Sequence, residues 1–265
     1  MICLMKGDIS MAIKVLYCGD TQINMTTHSK GIDTWTFTYF SDTAKFLCDA
    51  IAETDDIVCT HIPNEKVIAE CPSTLEEFKK YDVVILSDCG YNNIVLQPGN
   101  TRPFRIPMGP NRPKALNEFV KQGGGLIMIG GWLSYSGLQG KGMYGGTAVE
   151  DVLPVKCMPR GADDRVEVTE GFMFQINDSE HVIVKDIDWK TNYCLLGYNK
   201  VTLRDDAHLI ASYEGDPIIA TREVGNGRSL SYLSDITPHW SGDFQKHPDY
   251  KKLLLNLIRW TAGKL

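Results

Sequence analysis

Four compact apolar runs, each separated from the next by a helix-like segment, constrain this chain more than any other feature. They are Ala12–Cys18 (AIKVLYC), Ile57–Thr60, Val83–Ser87 (VVILS) and Leu126–Gly130 (LIMIG). Strands apolar on both faces must be covered on both faces, and helices lying between them in sequence supply that cover. Behind Ser41, the residues Phe46, Leu47, Ala50 and Ile51 recur with helical spacing. Ser73 with Glu76 reads as a capping box before a short helix containing Leu75 and Phe78. A loop over roughly 97–112, rich in proline and glycine, leads to Pro113 at the start of a helix with Leu116, Phe119 and Val120 on one face. Gly123-Gly124-Gly125 ends that helix. Residues 12–132 therefore read as a doubly wound, mostly parallel α/β sheet, with a long polar loop from the first strand to about Tyr39.

The second half changes character. Short strands at Arg165–Val168, His208–Tyr213, Ile218–Arg222 and Ser229–Ser234 are separated by Gly215-Asp216 and Gly225-Asn226-Gly227, the pattern of antiparallel hairpins. A helix near 249–262 carries Tyr250, Leu253, Leu254, Leu257 and Ile258 inward and stops at Gly263. With no low-complexity linker and no internal repeat, 12–263 reads as one domain with a β-rich antiparallel insertion at about 155–225. Residues 1–11 read as an N-terminal extension, with Met11 a candidate start.

Composition narrows the function classes. Lys and Arg number 27 against 33 Asp and Glu, a net charge of −6, which favours neither a phosphate backbone nor an anionic membrane surface. The eight cysteines form no C-x-x-C pair and no Cys/His cluster at zinc spacing. Cys18, Cys48 and Cys59 fall in apolar segments, where free thiols act as small hydrophobes. The near-apolar run before Lys6 and Asp8 is too short for a signal peptide or a membrane span. A cytoplasmic location, no resident metal and no cofactor are expected.

In doubly wound sheets, ligands bind beyond the carboxyl ends of the strands. That rule selects Gly19-Asp20, Asp88-Cys89-Gly90-Tyr91, Gly131-Trp132 and Asp235–Trp240. Cys89 directly follows a buried strand and is the candidate nucleophile; its bland alternative is a packed thiol at a strand end. His239, between Pro238 and Trp240, is the candidate general base, with Asp235 as its orienting carboxylate. The glycine triplet at 123–125 precedes a strand, whereas a phosphate-cradling loop follows one. Gly130-Gly131 stops at Trp132 without a phosphate-binding continuation. The segment Gly137–Gly146 reads as an irregular surface turn or a lid.

Four stretches carry a resemblance: GGGLIMIGGWLSYSGLQGKGMYGGTAVEDVLPV (123–155), CLLGYNKV (194–201), GNGRSLSYLSDITPHW (225–240) and the terminal LIRWTAG (257–263). Together they resemble the class I glutamine amidotransferase-like superfamily, in the branch called putative glutamine amidotransferases. The resemblance spans about 12–263 and implies a flavodoxin-like arrangement of the sheet. It also implies a nucleophilic cysteine on the turn after Leu126–Gly130, where this chain has Gly131 and Trp132. It implies an oxyanion-stabilising glycine pair after VVILS, where Asp88-Cys89 precede Gly90. His239 matches the family's catalytic histidine, but Ser241 stands where the glutamate two residues later is usual. Glutaminase activity is therefore not expected.

Three readings compete. In the first, a small metabolite or sugar-like ligand binds at the strand ends, with Trp132, Tyr135 and Trp240 for stacking and Asp88, Asp235 and His239 for polar contact, Gly90 and Gly131 completing the wall. In the second, a hydrolase uses a displaced Cys89–His239 pair oriented by Asp235. In the third, the chain is a non-catalytic assembly module. A homo-oligomer is possible in each; nucleic-acid and membrane partners are not expected.

Overall fold

A computed structural model describes residues 12–98 and 108–265. The expected N-terminal extension, the candidate start at Met11 and most of the loop at 97–112 lie outside the described residues. The first strand, β1 (Ile13–Gly19), leads not into a polar loop but into an antiparallel hairpin, β2 (Thr21–Lys30) and β3 (Asp33–Asp42). Then come α1 (Lys45–Ala52), β4 (Ile57–Ile62), α2 (Asn64–Glu70), α3 (Leu75–Phe78), β5 (Val83–Ser87), α4 (Tyr91–Val95), α5 (Arg112–Lys121) and β6 (Gly125–Ile129). The second half supplies β7 (Val155–Lys156), β8 (Arg165–Phe172), β9 (Gln175–Ile176), β10 (Leu195–Asn199), β11 (Thr202–Leu203), β12 (His208–Tyr213), β13 (Asp216–Val224) and β14 (Gly227–Tyr232). It closes with α6 (Pro238–Ser241) and α7 (Tyr250–Thr261).

Eight strands form one mixed sheet in the order β4-β1-β5-β6-β14-β13-β12-β9. The first five run parallel; β13, β12 and β9 extend the same sheet antiparallel. The hairpins of the second half thus widen the central sheet as well as forming the separate β8–β10 pair. Every residue of β5 and β6 is buried, as expected of strands covered on both sides. The helices form two packed groups, α1 with α7 and α2–α5 among themselves, with α5 and α7 each reaching β6 and β14.

Two local findings adjust the sequence reading. The capping box sits one residue later than expected: Thr74 Oγ1 accepts the Glu77 amide, and the Glu77 carboxylate accepts the Thr74 amide. The hairpin at 21–42 was legible in principle, because Thr34–Tyr39 alternates threonine with aromatic residues, a period-2 strand signal. Arg112, almost wholly buried, joins the helices beside the site: its Nη1 donates to the carbonyls of Asn93, Ile94 and Leu96, and its Nη2 to Ile68 O and Ser73 Oγ.

Candidate functional site

The carboxyl ends of β1, β5, β6 and β14 open into one cavity of about 290 Å³. Each strand end places a specific group there. After β1, Gly19 holds φ +125° because a Cβ would stand 1.8 Å from Ser87 O; only glycine lets β1 and the end of β5 approach this closely. The next residue, Asp20, takes a left-handed conformation (φ 53°) and lines the cavity. After β5, Asp88 does the same at φ 43°. Beyond β14 comes Asp235, just ahead of α6. Thr21, Gln22 and Thr43, at the root of the β2–β3 hairpin, form the opposite wall.

The three carboxyl groups share a strongly desolvated environment. Asp20 is buried, accepts the Tyr17 hydroxyl through Oδ2, and leaves Oδ1 buried without a partner. Burial pushes its pKa up to about 7, with Asp88 and Asp235 adding to the rise against its hydrogen bonds. Asp88 keeps part of its surface exposed, but burial around the carboxyl group raises it to about 6, against the Leu133 amide donating to Oδ1 at 2.6 Å. Burial also raises Asp235, opposed by its hydrogen bond and attraction to His239. Asp235 is nonetheless well held: Oδ1 accepts the amides of Thr237, Trp240 and Ser241, at 3.0, 3.2 and 3.2 Å.

His239 meets Asp235 Oδ2 through Nδ1 at 3.3 Å. With Nδ1–H donating to the carboxylate, Nε2 is the ring nitrogen left to meet a ligand. Trp132 packs edge-on against the same ring, centroids 4.8 Å apart, and the Arg165 guanidinium lies 5.9 Å from the indole. Asp88, Trp132, Asp235 and His239 are therefore brought together at the cavity.

Other candidates are placed elsewhere. Cys89 is buried beneath the site and does not line it, and burial pushes its thiol well above the ordinary range. A Cys89–His239 nucleophilic pair is thereby corrected: the left-handed turn at Asp88 sends the carboxylate to the cavity and the thiol into the core. Tyr135 is fully buried and its hydroxyl donates to Met128 O, so it offers no stacking surface. Trp240 is likewise buried, and its ring stacks behind His239 at 5.3 Å and 29°. Gly90 is the residue preceding α4, and Gly131 is buried behind Asp88; neither lines the cavity. Asp20 carried a sequence signal, its place directly after an apolar strand. Thr21, Gln22 and Thr43 depended on the unrecognised hairpin.

The turn after β6 is closed. A Cβ at Gly130 would stand 2.1 Å from Leu233 O, and one at Gly131 would stand 2.9 Å from Asp88 Cβ and Oδ1. Asn199, from β10, fixes Gly131 on both sides: its Oδ1 accepts the Gly131 amide at 2.9 Å and its Nδ2 donates to the Gly131 carbonyl at 3.1 Å. Asp164 accepts the second Asn199 amide hydrogen at 2.8 Å. The turn that carries a nucleophile in working amidotransferases thus has no room for a side chain at Gly131, and has Trp132 rather than a cysteine facing the cavity. Among the described residues, no three His, Cys, Asp or Glu side chains are arranged to hold a metal ion, and no helix is long and apolar enough to cross a membrane.

No curated protein matches the chain. Among solved structures, the cytoplasmic protein STM3548 from Salmonella typhimurium is 32% identical, with TM-score 0.87 over 94% of this chain and 99% of its own. The cytoplasmic protein STM1381 from Salmonella typhimurium LT2 is 30% identical, with the same TM-score and coverage. A Putative thua-like protein from Parabacteroides merdae is 13% identical with TM-score 0.50, over 96% of this chain and 91% of that one, a likeness of fold alone. The family described as Putative glutamine amidotransferase (GATase1_like) matches residues 14–263, through the strand ends that build the cavity. On that match, and on relatives similar over nearly their whole length, the chain belongs to this family.

Proposed function

We propose that the cavity binds a small, uncharged, polyhydroxylated ligand of sugar-like chemistry, and that the chain does not hydrolyse glutamine. The observation that carries this reading is the convergence of Asp20, Asp88 and Asp235 with the Trp132 and His239 rings in one small pocket without a nucleophile. With pKa values raised to about 7 and about 6, the Asp20 and Asp88 carboxyl groups accept hydrogen bonds when ionised and donate when protonated, which suits vicinal hydroxyls. Thr21, Thr43 and Thr237 add hydroxyls. Trp132, 40% exposed, offers an apolar surface to the C–H face of a ring. An anion would meet three carboxyl groups and no lining Lys or Arg. The volume is at the small end of ligand pockets, which fits one ring better than a nucleotide.

The place of the cavity supports the same reading. In the parallel part of the sheet, β4-β1-β5-β6-β14, winding reverses between β1 and β5, a flavodoxin-like order whose crevice lies at that reversal. Asp20 and Asp88 flank it. A cytoplasmic site of action is our inference too, supported by the two Salmonella relatives, both named cytoplasmic proteins, and by free thiols at all described cysteines.

Thermal unfolding against neutral sugars and polyols, with sugar phosphates and glutamate as the anionic set, tests the proposal. A neutral polyol should raise the melting temperature, and Asp235→Asn or Trp132→Ala should reduce its affinity about 10- to 100-fold. Stabilisation by the anionic set alone, or ammonia release from glutamine, overturns it.

A further inference from the structure

The β2–β3 arm carries a pattern that one chain alone does not use. Strict alternation of threonine with aromatic rings over Thr34–Tyr39 is the signature of a strand buried on one face. Yet Trp35, Phe37 and Tyr39 are 36, 58 and 56% exposed. The strand register puts Asn24 opposite Tyr39, Thr26 opposite Phe37 and His28 opposite Trp35, all on one face. His28 stacks on Trp35 at 5.6 Å and meets Phe37 edge-on at 5.5 Å, so the rings form a continuous stripe. Toward the tip, the other face is hydroxyl-lined, tied by Thr27–Thr36 and Ser29–Thr34 contacts at 3.0 Å. A two-stranded ribbon alone is marginal in water.

We propose that this arm is a homodimerisation element, the aromatic faces of two copies packing together about a two-fold axis at Phe37. An axis lying between the faces and across the strands sets Phe37 on the partner's Phe37 and Trp35 on the partner's Tyr39. In the same register, Asn24 meets the partner's His28, Gln22 the partner's Lys30, and Ser41 the partner's Asp33. Every polar residue of the face then meets a hydrogen-bonding counterpart, and no like charges meet. Charge favours a second copy over a charged partner: between Thr21 and Ser41 the formal charges are Lys30 and Asp33 alone, paired across the tip.

Size is adequate as well. Ten residues at ~3.3 Å each make an arm ~33 Å long, so the two globular bodies stand at opposite ends of the paired arms. The three rings, about half exposed, offer roughly 300 Å² per arm. The flanking hydroxyl and amide groups carry the total toward the ~1,200 Å² of the smallest stable interfaces. Because Gln22 also lines the cavity, this register brings the partner's Lys30 to its rim.

Sedimentation velocity across a range of protein concentrations tests the pairing. The unaltered chain should reach the dimer mass, and the triple variant Trp35→Thr, Phe37→Thr, Tyr39→Thr should sediment as monomer with its circular dichroism unchanged. A monomer at every concentration leaves the stripe to some other partner and overturns the proposal, as does a dimer that survives the triple substitution. Oxidative cross-linking tests the face: Thr26→Cys, beside Phe37, should give a reducible dimer. Thr27→Cys on the opposite face should not, and cross-linking there as readily as at Thr26→Cys overturns the packing.

Discussion

The turns after β5 and β6 belong to adjacent parallel strands, paired to their last residues, Ser87 with Ile129, and they are built in opposite ways. The first opens: Asp88 enters a left-handed conformation and presents its carboxyl group to the cavity. The second closes: Gly130 lies against the Leu233 carbonyl and Gly131 against Asp88, with Asn199 holding the latter in place. The two arrangements are complementary, because Asp88 occupies the space that a side chain at Gly131 would need. In this chain, the groups that the strand ends turn toward the cavity are therefore carboxyl groups following β1, β5 and β14, with no cysteine among them.

Forcing a side chain into the closed turn is the harshest way to break this contrast. Gly130→Cys places a Cβ where the Leu233 carbonyl stands 2.1 Å away and the Ser234 carbonyl 2.8 Å away. Backbone on both sides cannot yield as a flexible side chain would, so the cost should exceed the ~1–3 kcal/mol of ordinary overpacking. It should consume much of a stability of ~5–15 kcal/mol. Loss of folded protein, read by circular dichroism and solubility, is the expected outcome. A variant that folds with unchanged stability would show that the turn can open.

Next in size is the pH dependence built into the open turns. The pKa of Asp20 is raised to about 7, so the folded chain binds this proton more tightly than the unfolded chain does. Its contribution to stability is complete below about pH 4 and is lost as pH rises through about 7. A shift of this size corresponds to on the order of 4 kcal/mol, and Asp88 and Asp235 act in the same direction. Urea unfolding at pH 5 and pH 8 should find the chain less stable at the higher value. Asp20→Asn, which still accepts the Tyr17 hydroxyl, should flatten most of that difference; an unchanged pH profile in the variant removes Asp20 as its source.

The contrast also explains how far the sequence could be read. The buried parallel strands were legible because continuous apolar runs have few other uses, and Asp20, Asp88, Trp132, Asp235 and His239 followed from the rule about strand ends. What failed lay at single-residue resolution. Whether Asp88 or Cys89 faces the cavity depends on one left-handed φ angle, which residue type alone does not dictate. Trp240 and Tyr135 look like stacking surface until their neighbours are known; Gly197 lies so close to the Trp240 indole that a Cβ there would meet its Nε1 at 2.5 Å. The hairpin was missed for a different reason. Its threonines weigh as polar in a composition count, although their alternation with rings is a strand signal, and the root of that hairpin supplies a full wall of the cavity.

The smallest effect is the most discriminating, because it measures whether the two turns exclude each other. Gly131→Ala should destabilise the chain by ~2 kcal/mol, partly from its φ of +149° and partly from the 2.9 Å approach to Asp88. Only the second part can be relieved by shortening the neighbour. In an Asp88→Gly background, the same substitution should therefore cost about 1 kcal/mol less, a coupling of the size found between residues in direct contact. Denaturant unfolding of both single variants and the double variant gives that number directly. Strict additivity would mean that the carboxylate and the closed turn are neighbours without dependence, each set by its own strand. Coupling would mean that the carboxyl group in the cavity and the absence of a side chain on the β6 turn are one structural decision.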